Sequence, residues 1–149
     1  MSLIPVLDIA PFLAGSTTDK MLLAKRLDEV CSDVGFFCLT GHGVSDEDFR
    51  EIYDVSKAFF HLDLEEKRLV AQHSPDVICG YIGIGAAALG GLQDEKTPSD
   101  WKESFSAGPI DVNLQDPYYQ APLARGHFAP NRWPERPGEF GRIWTNYYA

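Results

Sequence analysis

The order of short strings along this 149-residue chain predicts an α+β fold. Three observations carry that expectation. Compact β-favouring runs stand at residues 4–8 and 36–40, and helical apolar periodicity follows each of them. The second half then turns to glycine- and proline-rich sequence before a last amphipathic stretch. The chain is one domain in length, 1–149. Its balance of 44% hydrophobic and 23% charged residues is that of a globular protein and not of a disordered one.

Residues 4–8 alternate and run into Pro11, the pattern of an edge strand or extended arm, where a proline is tolerated. From Asp19 onward Leu23, Leu27, Val30, Cys31 and Val34 recur at helical spacing, with Gly35 where a C-terminal cap belongs. The second β-favouring run is cut by Gly41-His42-Gly43, a turn in which the glycines supply positive φ. Ser45 stands as the cap of the next helix, with Asp46, Glu47 and Asp48 favourably placed in its first turn. Along that helix Phe49, Ile52, Tyr53, Ser56, Phe59 and Phe60 trace one largely apolar face. A short helix over 64–70 follows, with Asp63 as N-cap and Glu66 in the capping-box position.

Beyond it, glycines crowd residues 80–91 and seven of the ten prolines fall after residue 97, so loops surround strand candidates at 77–82 and 103–107. Pro137 suits the first turn of a last helix carrying Phe140, Ile143, Trp144, Tyr147 and Tyr148 at i, i+3, i+4, i+7 and i+8. That stripe is still running at Ala149, with no glycine, asparagine or basic residue to close it. Either the helix is cut there, or it is a C-terminal helix that frays.

The charge, 13 basic against 22 acidic residues or −9, opposes attraction to nucleic acid or an anionic membrane surface. No apolar run reaches membrane-spanning length, and residues 1–12 lack the basic and apolar regions of a secretory leader. The expected location is the cytoplasm. Cys31, Cys38 and Cys79 form no CxxC pair and read as buried, reduced packing residues.

Histidine and carboxylate residues offer one metal constellation. His61-Leu62-Asp63 with a distant His127 has the composition of a two-histidine, one-carboxylate triad for Fe(II). An H-x-D of this kind works on a strand, where i and i+2 point the same way, whereas His61 ends a helix and Asp63 begins another. Gly83-Ile84-Gly85-Ala86 with Glu103 loosely matches a dinucleotide fingerprint, but Gly90-Gly91 stops the helix it should open and no βαβ unit surrounds it. No nucleophile elbow or phosphate-binding loop is present.

Several strings in order carry a resemblance. They are Ile4-Pro5-Val6-Leu7-Asp8, Gly35-Phe36-Phe37 leading to Gly41-His42-Gly43-Val44, and Phe59-Phe60 with Leu64-Glu65-Glu66-Lys67. Gly80-Tyr81, Asp100-Trp101-Lys102-Glu103, Pro130-Asn131 and Trp133-Pro134 complete the set. Taken together they resemble the N-terminal region of non-haem iron oxygenases of the isopenicillin N synthase type, most of which use 2-oxoglutarate. The resemblance implies helices and short strands flanking a double-stranded β-helix, or jelly-roll, core that is itself largely absent here. It implies too that the metal-binding H-x-D and distant histidine, and the Arg-x-Ser that holds 2-oxoglutarate, belong to that later core. On this reading no catalytic or metal-ligating residue lies in the chain, which binds neither Fe(II) nor 2-oxoglutarate alone. The loop at 80–91, with Tyr81 and Gly83, is then the portion expected to touch substrate. Ile78 and Cys79 stand where some members place a basic residue for a substrate carboxylate, so the substrate stays open.

Three readings follow. The leading one is the front portion of an Fe(II)/2-oxoglutarate-dependent oxygenase acting on a small molecule, inactive alone, with the missing catalytic core as its partner in cis or in trans. The second is a binding module that docks a separately encoded core or another protein. The third, a small iron protein using His61, Asp63 and His127, predicts metal loss on His61→Ala.

Overall fold

The computed structural model describes residues 4–74, 76–86, 100–113 and 115–148. The chain divides into two units, Met1–Ser45 and Asp46–Ala149.

In the first unit, strand β1 (Val6–Asp8) pairs in parallel with β2 (Cys38–Thr40), Leu7 opposite Leu39. Parallel neighbours need a crossover. Helices α1 (Ala10–Ala14) and α2 (Thr17–Asp33) supply it. The alternation at residues 4–8 is realised, with Leu7 buried between exposed Val6 and Asp8. Helix α1 was not legible as periodicity; Pro11 pre-sets its first turn, and the Gly15 amide closes it on the Pro11 carbonyl at 2.9 Å. Helix α2 starts before Asp19, because Ser16 and Asp19 form a reciprocal capping box. Hydrogen bonds from the Ser16 hydroxyl and amide hold the Asp19 carboxyl below its ordinary value. Gly35 ends the helix at φ +87°. Gly41 and Gly43 also take positive φ, and the Val44 amide donates to Nδ1 of His42 between them.

In the second unit, α3 (Asp46–Phe60) leads to α4 (Leu64–Arg68). An antiparallel ribbon of β3 (Gly80–Ile82) and β4 (Ser104–Ser106) follows, with Tyr81 opposite Phe105. Two short proline-initiated helices, α5 (Pro117–Gln120) and α6 (Pro122–His127), precede α7 (Phe140–Tyr148). Helices α3 and α7 pack on each other, but α3 is turned from the expected face: Val55, which was not on it, is buried beside Phe59, while Tyr53, which was, is exposed. Val55, Phe59, Val70, Tyr81, Phe140 and Ile143 form the core, and Phe59 and Phe140 are fully buried. Rings of Phe59, Phe105 and Phe140 meet pairwise with centroids 5.0–5.2 Å apart, the tilted and edge-on geometry aromatic quadrupoles prefer.

Some expectations need correction. Asp63 occupies the N-cap position of α4 but makes no side-chain cap bond, the Glu66 amide going to the Asp63 carbonyl at 3.1 Å, and the Glu66 carboxylate pairs with Arg136 at 2.9 Å instead of reaching back to the cap. Helix α4 stops at Arg68; Leu69 and Val70 form a turn, and the Val70 carbonyl accepts the Tyr81 amide on the free edge of β3. Of the cysteines only Cys79 is buried; Cys31 and Cys38 are exposed, and all three are free thiols. The last helix begins at Phe140 and not at Pro137, whose carbonyl accepts the Phe140 amide. The question raised at Ala149 lies outside the described residues.

Candidate functional site

Alternation along the β3–β4 ribbon decides what it presents. Tyr81 and Phe105 face the aromatic core, so Gly80 with Ser106 and Ile82 with Ser104 take the other face. Gly80 holds φ +120°, and a Cβ there would stand 2.9 Å from both the Val70 carbonyl and the Gln72 amide, so only glycine lets β3 lie this close to residues 70–72.

At the C-terminal end of β3 the ribbon and α4 enclose a cleft of about 520 Å³. Leu64, Ile82 and Ile84 form its apolar wall, and Tyr81, Gly83 and Glu103 also line it. Tyr81 and Gly83, the substrate contacts expected from the sequence, thus come together here, while the rest of the 80–91 loop beyond Ala86 lies outside the described residues.

Three side chains from separate segments interlock at the cleft. The Tyr81 hydroxyl donates to Oε2 of Glu103 at 2.6 Å, and Nζ of Lys67 donates to the same oxygen at 2.7 Å and to the Phe60 carbonyl at 3.1 Å. Lys67 also lies 5.5 Å from the Tyr81 ring centroid, a cation–π distance. Only 7% of Lys67 is exposed, so its ion pair with Glu103 is what makes the charge tolerable there. Burial pushes the Glu103 carboxyl up, but the bonds from Lys67 and Tyr81 outweigh it and hold it below its ordinary value. Burial, reinforced by the Glu103 carboxylate, pushes the Tyr81 hydroxyl up to about 12. Under ordinary conditions the cleft therefore holds an ionised Glu103 and a protonated Tyr81.

Sequence reasoning missed Lys67 and assigned Glu103 only to a weak dinucleotide match. Both stand in strings that carried the resemblance, yet 36 residues separate them and no local spacing predicts their contact.

The Fe(II) alternative does not assemble. Nδ1 of His61 donates to the Lys57 carbonyl at 2.6 Å, Asp63 opens α4, and His127 ends α6. Among the described residues no group of three His, Cys, Asp or Glu side chains is placed to hold a metal ion. The described residues therefore do not fit Fe(II).

The family model described as "non-haem dioxygenase in morphine synthesis N-terminal" matches residues 4–136. The chain belongs to this non-haem dioxygenase N-terminal family. Among curated relatives, a "2-oxoglutarate-Fe(II) type oxidoreductase" of Aspergillus fumigatus is 36% identical over 150 residues, covering 97% of this chain and 42% of the relative. "Homoarginine-6-hydroxylase 2-ODD-C23.2" of Arabidopsis thaliana is 30% identical over 98% of this chain and 40% of its own length. A similar fold occurs in a full-length Neurospora crassa protein solved in complex with alpha-KG, with TM-score 0.70 and 26% identity over 97% of this chain and 41% of that one. The chain thus spans about two fifths of the length of these relatives. It is an N-terminal portion in family terms and, among its described residues, lacks the metal-ligating set of the whole enzymes. No helix of the described residues is long and apolar enough to cross a membrane.

Proposed function

We propose that this chain supplies the N-terminal scaffold and part of the substrate wall of an Fe(II)/2-oxoglutarate-dependent oxygenase, an oxidoreductase acting on a small organic molecule. One observation carries the reading: the match runs over 97% of the chain to a 2-oxoglutarate-Fe(II) type oxidoreductase while covering 42% of that protein. The chemistry then belongs to a catalytic core supplied in cis or in trans, which is the partner this chain requires. Fe(II) and 2-oxoglutarate are ligands of that core. Tyr81 and Gly83 border the substrate, supported by the cleft they share. A cytoplasmic setting is supported by two exposed free thiols, Cys31 and Cys38, which a reducing compartment preserves.

The test has two arms. The isolated 149 residues are titrated with Fe(II) and labelled 2-oxoglutarate, and neither is expected to bind. The DNA downstream is then read for an H-x-D and a distant histidine, and the extended protein is assayed for 2-oxoglutarate decarboxylation. Tight binding of either ligand by the isolated chain, or an extended protein with the triad that leaves 2-oxoglutarate intact, would sink the proposal.

A further inference from the structure

Both strong hydrogen bonds at the cleft end on one oxygen of Glu103. Lys67 and Tyr81 donate to Oε2, and no bond is made to Oε1 among the described residues. The carboxylate is not sealed off, since its side chain is 24% exposed and lines the cleft. A carboxylate offers about four lone-pair sites, and with both donors on Oε2 no described residue takes up Oε1 as an acceptor. Tyr81 cannot serve as a donor to a ligand, because its single proton is already given to Glu103.

From this geometry we infer that Glu103 is a binding residue of the cleft, accepting on Oε1 an N–H or O–H from a neutral, largely apolar ligand, with Lys67 and Tyr81 as positioning residues. The inference rests on the reading that this cleft borders substrate, and it names the substrate's class. Neutrality follows from the charges already present. Lys67 at 2.7 Å compensates Glu103, and Arg68, which also lines the cleft, is balanced by Glu65 at 2.9 Å in a solvent-exposed ion pair, so these four side chains carry no net charge. A ligand cation would gain little from a carboxylate so compensated and would share it with a second, buried ammonium group. The ligand's body packs on Leu64, Ile82 and Ile84, which offer it no polar partner, while the Gln72 side-chain amide on the same lining already donates to the Val77 carbonyl.

Two probes of the same shape test this. 2-Pyrrolidinone carries one N–H, and N-methyl-2-pyrrolidinone replaces it with a methyl group. Each is titrated into the ¹⁵N-labelled chain while the backbone amides of Gly83 and Ile84 are followed by NMR. The N–H probe is expected to bind about fivefold or more tightly, the size of one net hydrogen bond. The variant combining Lys67→Met, Glu103→Leu and Tyr81→Phe replaces these polar groups by apolar side chains of similar volume and should bring the ratio to about one, since the Glu103 acceptor is lost and no Tyr81 hydroxyl is freed in its place. Glu103→Gln, which keeps the size and removes the charge, should lower the ratio in part. Equal affinities in the unaltered chain, no binding of either probe, or an undiminished ratio in both variants would overturn the inference. An extended protein that consumes 2-oxoglutarate beside a failed ratio removes this inference alone; a sound ratio beside an inert extended protein removes the oxygenase reading.

Discussion

Lys67 takes its ammonium group into a site where only 7% of the residue remains exposed, held by Glu103 and the Phe60 carbonyl. Removing one partner of such a pair strands the other charge, whereas removing both with apolar replacements does not. Glu103→Leu alone should therefore cost about 3 kcal/mol, the lower end of the range for buried pairs because Glu103 is partly solvated. The double variant with Lys67→Met should recover most of that loss, and urea denaturation checks both. If the double variant is as unstable as the single one, the ion pair is not what Lys67 requires. The acid side has a fixed sign. The folded-state carboxyl of Glu103 lies below its unfolded value, so its contribution is present above the unfolded pKa of about 4.3 and is lost as pH falls through the folded value. Tyr81 runs the other way: its contribution is complete below about pH 10 and is lost as pH rises through about 12. In an alkaline absorbance titration of the six tyrosines, Tyr81 should account for a late step near 12 that Tyr81→Phe abolishes, and a titration unchanged by that substitution would contradict the Glu103 bond.

At the scale of elements, β3 depends on a residue with no side chain. Gly80→Ala would place a Cβ 2.9 Å from two backbone atoms in a backbone conformation that L residues rarely adopt, and it should destabilise the second unit by about 2 kcal/mol or more. Thermal melting of that variant checks it; an unchanged midpoint would mean that residues 70–72 do not lie against β3. Legibility in the sequence follows the range of the forces involved. Helices α2, α3 and α7 announced themselves because an apolar face repeats every 3.6 residues, and the glycine turns because positive φ leaves few alternatives. The five-residue α1 was too short to show a period, and the capping box expected at Asp63 does not form, the Glu66 carboxylate pairing instead with Arg136, 70 residues on. Likewise Tyr81 and Gly83 were legible as a loop beside a strand, while Lys67 and Glu103 meet only once the chain has folded.

For the molecule as a whole, the aromatic core of the second unit and the large apolar groups left in solvent lead to opposite expectations for one sample. Phe59, Phe105 and Phe140 interlock with centroids 5.0–5.2 Å apart, which calls for cooperative unfolding of that unit. Yet Met21, Leu22, Phe36, Leu69, Tyr53 and Trp101 are all more than half exposed, large apolar groups that a docked partner would cover. The proposed docking of a catalytic core onto a chain that spans two fifths of its relatives' length accounts for this combination of features. The isolated chain should therefore bind an apolar dye while Trp133 and Trp144, packed against the aromatic core, keep a structured near-ultraviolet dichroism that is lost in a single transition on heating. Adding the catalytic portion, in cis or in trans, should displace the dye and raise the midpoint. A monodisperse chain that ignores the dye would count against any docked core, and dye binding without tertiary dichroism would mean that the aromatic core does not stand on its own.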